Sequence, residues 1–143
     1  MAELKQILEE LAGITGPDRL KTDPGVTAQF AVDGLVPKAV VFPKDTRMVA
    51  ALVQCACRGN LAMVPWGSGT KMAMGNPPKR LDLVVCMARM NHMLDVDTAN
   101  LTITVEAGVK FRDVQARLAT EEDRCYLPLE DLKTEAGDFV CSD

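Results

Sequence analysis

The sequence predicts an α+β sandwich made of a βαβ unit, a β-hairpin and flanking helices, and three patterns carry that prediction. A short apolar run, Ala39-Val40-Val41-Phe42, precedes a stretch in which Met48, Val49, Leu52, Val53 and Ala56 recur at helical spacing, and a second apolar run, Leu61 to Trp66, follows at once. Strand, helix and strand in that order form a crossover between parallel strands. Farther on, Met93 to Asp97 and Leu101 to Ala107 alternate in polarity with only Thr98-Ala99-Asn100 between them. Alternation with period two on both sides of so short a connection marks a hairpin with one buried face. At 143 residues the chain is one domain's worth, long enough to bury about two-thirds of the surface its unfolded form exposes.

Taken in order, Leu4, Ile7, Leu8 and Leu11 form a helical stripe, with Lys5, Glu9 and Glu10 off it, so a helix is expected over residues 2–12. Gly13, Gly16-Pro17 and Asp23-Pro24-Gly25 then break the chain into turns, and residues 13–36 are expected to be mostly irregular with short pieces. Pro43 stops the first strand, Asp45 is placed to cap a helix starting at Thr46, and Gly59-Asn60 ends that helix. Leu81 to Met87 reads as an apolar strand. In the second alternating segment Leu101, Ile103 and Val105 share one face and Thr102, Thr104 and Glu106 the other. Gly108 ends it, and Phe111, Val114 and Leu118 give a last helical stripe through Ala119. From Thr120 the pattern degrades through Glu121-Glu122-Asp123-Arg124 and Tyr126-Leu127-Pro128-Leu129 into a polar tail.

Composition narrows the function classes. Hydrophobic residues at 48% and charged residues at 25% are those of an ordinary soluble protein, and with aromatics at 4% the eight Met are expected to fill core space. Sixteen basic and twenty acidic residues give a net charge of -4 with no long run of one sign, so nucleic acid is not an expected partner. The N-terminus lacks the basic start and apolar run of a secretion signal, and no stretch of about 20 apolar residues could span a bilayer. A cytoplasmic location is therefore expected. Cys55, Cys57, Cys86, Cys125 and Cys141 contain no Cys-x-x-Cys; disulfides are not expected, and the five are read as buried small hydrophobes. His92 has no partners spaced for a catalytic triad or a metal site, and Asp95, Asp97 and Glu106 are read as solvent-facing. No catalytic residue and no metal ligand is assigned.

The chemically informative stretch is Gly67-Ser68-Gly69-Thr70-Lys71, with Gly75 and Pro77-Pro78 beyond it, set between two apolar strands. Residues without a Cβ let successive N–H groups converge into a nest for an anionic oxygen, and a diphosphate is the natural guest. It is not a Walker loop, because Lys71 is preceded by Gly69-Thr70 and followed by Met72. Nor is it a Rossmann fingerprint, since Met72 stands where a third glycine belongs and Pro77-Pro78 argues against a helix opening there. Loop amides, without a following helix, are thus expected to hold the phosphate. A ligand-free glycine-rich connection is the alternative on motif content.

Five pieces in one order resemble the vanillyl-alcohol oxidase and p-cresol methylhydroxylase (PCMH) type of FAD-binding domain, in its glycolate and D-lactate dehydrogenase branch. They are Pro37-Lys38-Ala39-Val40-Val41-Phe42-Pro43, the helix from Asp45 to Arg58, Pro65-Trp66-Gly67-Ser68-Gly69-Thr70, Leu94-Asp95-Val96-Asp97 and Val105-Glu106-Ala107-Gly108-Val109. The resemblance implies the first subdomain of such a domain at 37–128, led into by residues 1–36 and followed by a polar tail at 129–143. It implies FAD on Pro65, Gly67, Ser68, Gly69, Thr70, Lys71, Met74, Gly75 and Pro128, with Lys71 either a charge donor or a solvated lysine. Pro43 resembles another cofactor-bordering position. Several relatives attach FAD covalently through a histidine in this loop, and this loop has none, so non-covalent FAD is implied. The intact protein is expected to be an oxidoreductase acting on a small 2-hydroxy acid such as glycolate or D-lactate. This chain is expected to be its N-terminal part, inactive alone and open to self-association or a partner subunit. The alternatives are a non-catalytic module giving a half-site to a partner, and the flavin subunit of a molybdenum hydroxylase.

Overall fold

The computed structural model describes residues 2–120. Its main sheet has three parallel strands, β2 (Ala39–Val41), β3 (Met63–Trp66) and β4 (Leu83–Cys86), and a two-residue antiparallel edge, β1 (Leu20–Lys21). The strand order is β1-β2-β4-β3, so β4 lies between the two strands of the βαβ unit, with Val84 opposite both Val40 and Val64. All four residues of β4 are buried. A strand apolar on both faces belongs at the centre of a covered sheet, which is why it is inserted there.

One face of the sheet is covered by α1 (Ala2–Thr15) and α3 (Thr46–Arg58) around a core of Leu11, Val41, Leu52, Cys55, Leu83 and Val85. The Asp45 side chain caps α3 by accepting the Met48 amide at 2.8 Å, satisfying one of the helix's orphan donors. Gly59 closes that helix and Asn60, at φ 46°, turns the chain toward β3. Arg58 of α3 pairs with Glu10 of α1. The other face is covered by the lead-in segment, where Val32, Leu81 and Cys86 pack with Phe30, Leu35, Phe42, Trp66 and Met72.

Residues 13–36 hold several short pieces, among them α2 (Pro24–Thr27), which Asp23 caps through the Gly25 and Val26 amides. The first helix runs to Thr15, past Gly13. The second unit is the hairpin of β5 (Met93–Asp97) and β6 (Thr102–Val105), covered by α4 (Phe111–Leu118) over Val109, Val114 and Leu118. Its turn is closed by Leu101 at φ 54° and by Asp97, which accepts from the Asn100 amide.

Cys55 and Cys86 are buried, but Cys57 is exposed, correcting the expectation that every cysteine is a core residue. Two residues on a helix rotate a side chain to the opposite face, and Cys55 takes the inward one. Burial pushes the thiols of Cys55 and Cys86 up, with Glu10 adding to the effect at Cys55. Cys125 and Cys141, like Pro128 and the 129–143 tail, lie outside the described residues.

Asp82, at the amino end of β4, is the buried charge among the described residues. Its carboxylate accepts the Ala62 amide at 2.8 Å and pairs with Lys38 Nζ at 2.7 Å and Arg80 Nε at 2.8 Å, while its side chain is only 4% exposed. Its backbone joins in, donating to Ala62 and accepting from Lys38 and Ala39. Burial pushes the carboxyl up, but the Lys38 hydrogen bond, the Ala62 amide and the charges of Lys38 and Arg80 outweigh it and hold the pKa below the usual carboxylate range. Asp82 thus fastens the amino ends of β2, β3 and β4 at the pole opposite the glycine loop.

Candidate functional site

Parallel strands bring their carboxyl ends to one edge, and the glycine loop leaves β3 there, beside the turn that follows β4. No helix opens from the loop: it passes through a turn at 70–73 and a bend at 74–76 before the Pro77-Pro78 segment. Gly69, at φ 81°, and Gly75, at φ 90°, occupy the left-handed region that disfavours other residues. Gly69 also lies against its own strand. A Cβ there would sit 2.5 Å from Cζ2 and 2.8 Å from Cε2 of Trp66, so the loop is folded onto the indole. Trp66 is held in turn against Phe30, ring centroids 5.0 Å apart, and Phe30 meets Phe42 edge to face at 5.9 Å.

Among the described residues, no atom accepts from the amides of Gly67, Ser68, Gly69 or Thr70; Ser68 Oγ and Thr70 Oγ1 lie 3.2 Å apart, bonded to each other. Half-buried or exposed, these four amides are left to water or to a ligand, and successive donors in a glycine-rich turn are the makings of an anion site. Three of the four residues border a cavity of about 290 Å³. Gly67, Ser68 and Thr70 form one wall; Ala88 and Asn91, after β4, and Gly108, Lys110 and Asp113, at the start of α4, form the rest.

The second unit is held there by a close backbone contact. The Gly108 amide donates to the Met90 carbonyl at 2.8 Å, and a Cβ at Gly108 would overlap the Met87 carbonyl oxygen and lie 2.7 Å from that of Met90. Only glycine permits the approach that closes the cavity. Nearby, Glu106 Oε2 accepts from the His92 amide at 2.8 Å and meets its ring Nδ1 at 2.6 Å. Glu106, read as simply solvated, is therefore a half-buried fastener. The His92 amide is the largest influence lowering its pKa, over a smaller burial effect. His92 itself is exposed. Arg89 lies over the Phe42 ring at 5.7 Å.

The structure thus brings Gly67, Ser68 and Thr70 together on the cavity wall, with Gly69 between them as the packed support. Pro65 is exposed on an edge strand, where its missing N–H costs no ladder bond. Lys71, Met74 and Gly75 are exposed outside the wall, and Pro43 is buried behind β2. Ala88, Asn91, Lys110 and Asp113 carried no signal in the sequence, because nothing local shows that the start of α4 faces the loop. Gly108 had one, as part of Val105-Glu106-Ala107-Gly108-Val109.

The described residues contain no group of three or more His, Cys, Asp or Glu arranged for a metal. No helix among them is long and apolar enough to cross a membrane.

Comparison with known proteins places this geometry in context. A family model described as an FAD binding domain matches residues 37–130. The chain is 29% identical over 110 residues to the glycolate oxidase subunit GlcD of Bacillus subtilis, covering 73% of this chain and 23% of that protein. It is 31% identical over 113 residues to a D-2-hydroxyglutarate dehydrogenase of Xanthomonas citri, covering 76% and 24%. The fold matches the crystal structure of p-cresol methylhydroxylase with substrate bound at a TM-score of 0.74 and 16% identity, over 82% of this chain and 25% of that one. The chain therefore spans about a quarter of the length of the proteins it matches.

Proposed function

The chain belongs to the FAD binding domain family, and on that premise we propose that it holds the diphosphate of a non-covalent FAD on the loop from Gly67 to Thr70, as part of an oxidoreductase acting on a 2-hydroxy acid. The observation that carries the proposal is the row of four amides without a partner among the described residues, three of their residues lining a cavity at the carboxyl edge of parallel strands. The fit is chemical: a doubly charged diphosphate presents several acceptor oxygens, and the loop offers donors whose bonds are otherwise unmade.

Bound FAD would supply the acceptor for the hydride taken from the alcohol carbon. The chain's own contribution is binding and placement. The Gly67, Ser68, Gly69 and Thr70 amides donate to phosphate oxygens, the Ser68 and Thr70 hydroxyls exchange their mutual bond for ligand bonds, and Lys71 adds charge at the rim. Trp66 and Phe30 keep the loop from collapsing into the space. Pro65, Met74, Gly75 and Pro128 complete the proposed contact set. Attachment without a covalent bond is supported by the lack of histidine in the loop and by the engagement of His92 with Glu106. The 2-hydroxy acid class is supported by the names of two relatives, a glycolate oxidase subunit and a D-2-hydroxyglutarate dehydrogenase.

Trp66 is the chain's one tryptophan and lies under Gly69, so its emission reports on the loop. Titration with FAD is expected to quench it saturably, ADP to compete through the shared diphosphate, and riboflavin to bind far more weakly. Equal affinity for FAD and riboflavin, or no saturable quenching, would refute diphosphate binding by this loop. In the full-length protein, flavin bleaching by D-lactate or glycolate but not by simple alcohols is the test of the substrate class.

A further inference from the structure

We infer that Lys110, on the wall facing the glycine loop, is the cation that offsets the ligand's diphosphate charge, and that Asp113 beside it opposes binding. This rests on the FAD reading above and goes beyond it by assigning the charged contact to the start of α4. Free amides present only partial positive charge, and moving a dianion from water into a cavity is costly without a full counter-charge. Among the described residues lining the cavity, Lys110 is the single cation and Asp113 the single anion. The two formal charges cancel, so replacing either leaves the wall with the other.

The segment that carries Lys110 is also the better anchored. Gly108 is locked against the Met87 and Met90 carbonyls, Val109 is buried, and Val114 and Leu118 fix α4 to the hairpin. Lys110 follows directly and is half-buried, so a bond to phosphate orders little new chain. Lys71 lies in an exposed turn outside the wall, where solvent screens a charge pair and leaves it worth little. Asp113 sits three residues on, one helical turn from Lys110 on the same side.

The test measures FAD and riboflavin affinity of the whole chain and its variants at about 0.01 M and about 1 M salt, where screening lengths are roughly 30 and 3 Å. At low salt Lys110→Met is expected to weaken FAD binding about tenfold, Lys110→Arg to restore most of it, and Asp113→Asn to tighten it roughly threefold, all on the scale of single charge contacts. Lys71→Met should cost about twofold, as an exposed charge does. Riboflavin, which lacks phosphate, should be indifferent to all four, and the differences should shrink at high salt. Wild-type FAD affinity in Lys110→Met, or a loss in both Lys110→Met and Asp113→Asn, overturns the inference. Unfolding curves identify a variant that fails to fold, in which case Lys110→Arg and Asp113→Asn carry the comparison. If the wild-type chain takes no FAD, the broader reading falls too; if it binds and the variants match it, this inference alone falls.

Discussion

Gly69 and Gly75 both lie in the left-handed region, at φ 81° and 90°, but only Gly69 has a neighbour that a methyl group would strike. Substituting alanine at each therefore separates two effects within one loop. At Gly75 nothing lies within 4 Å of the added Cβ, so the cost is conformational, about 1–2 kcal/mol for an L-residue held left-handed. At Gly69 the same cost applies, and the new carbon would also lie 2.5 Å from Trp66 Cζ2. Either the loop lifts or the indole gives way, and overpacking of this kind costs a further 1–3 kcal/mol or so. Gly69→Ala is thus expected to lose roughly 2–5 kcal/mol against about 1–2 for Gly75→Ala. Urea unfolding followed by Trp66 emission and circular dichroism gives both values, and a shift of the folded-state emission in Gly69→Ala alone would show the indole displaced. Equal losses at the two sites would refute the packing of loop on indole, and with it the claim that this contact holds the amides open.

Three further outcomes follow from the same contacts. Asp82→Asn should cost about 2–3 kcal/mol, because it weakens the Ala62 bond and leaves two cations without their carboxylate, while Lys38 and Arg80, about half exposed, can rehydrate. Its pH dependence has a fixed sign. A carboxyl with a depressed folded-state pKa stabilises above its unfolded value near 3.9 and loses that contribution as pH falls through the folded value. The wild type should therefore lose stability more steeply than Asp82→Asn in acid urea titrations below about pH 4, and parallel acid limbs would contradict the assignment. Gly108→Ala, which drives a methyl into rigid backbone carbonyls, should destabilise by about 3 kcal/mol or more and abolish FAD-dependent quenching; a fully binding Gly108→Ala protein would contradict the cavity's closure. Glu106→Gln should leave FAD affinity within twofold or so, since Glu106 serves the hairpin rather than the cavity; a tenfold loss would place it in the site.

Local patterns in the chain made most of the elements legible. Periodicity located α1, α3, α4 and the hairpin to within a few residues, and Asp45 identified its own helix cap. What was not legible is non-local. The insertion of β4 between β2 and β3 depends on which strand is covered on both faces, a property its unbroken Leu83-Val84-Val85-Cys86 run expresses only once a sheet is assumed. Asp23-Pro24-Gly25 signals a turn and a capped helix equally well, and it proved to be the latter. Asp82 was overlooked because a lone acid beside a strand reads as an exposed position; its partners Lys38 and Ala62 are far away in sequence. For the site, composition exposed the glycine loop and left the opposite wall hidden, since Lys110 and Asp113 acquire meaning only through the contact of Gly108 with the turn after β4.

The central claim concerns four N–H groups, and amide-resolved NMR of the whole chain reads them directly. On titration with FAD, the resonances of Gly67, Ser68, Gly69 and Thr70 are expected to move downfield together, as amides do when they donate to anionic oxygens, while those around Ala62 and Asp82 at the far pole stay in place. Saturable FAD binding that leaves those four unmoved would contradict the account.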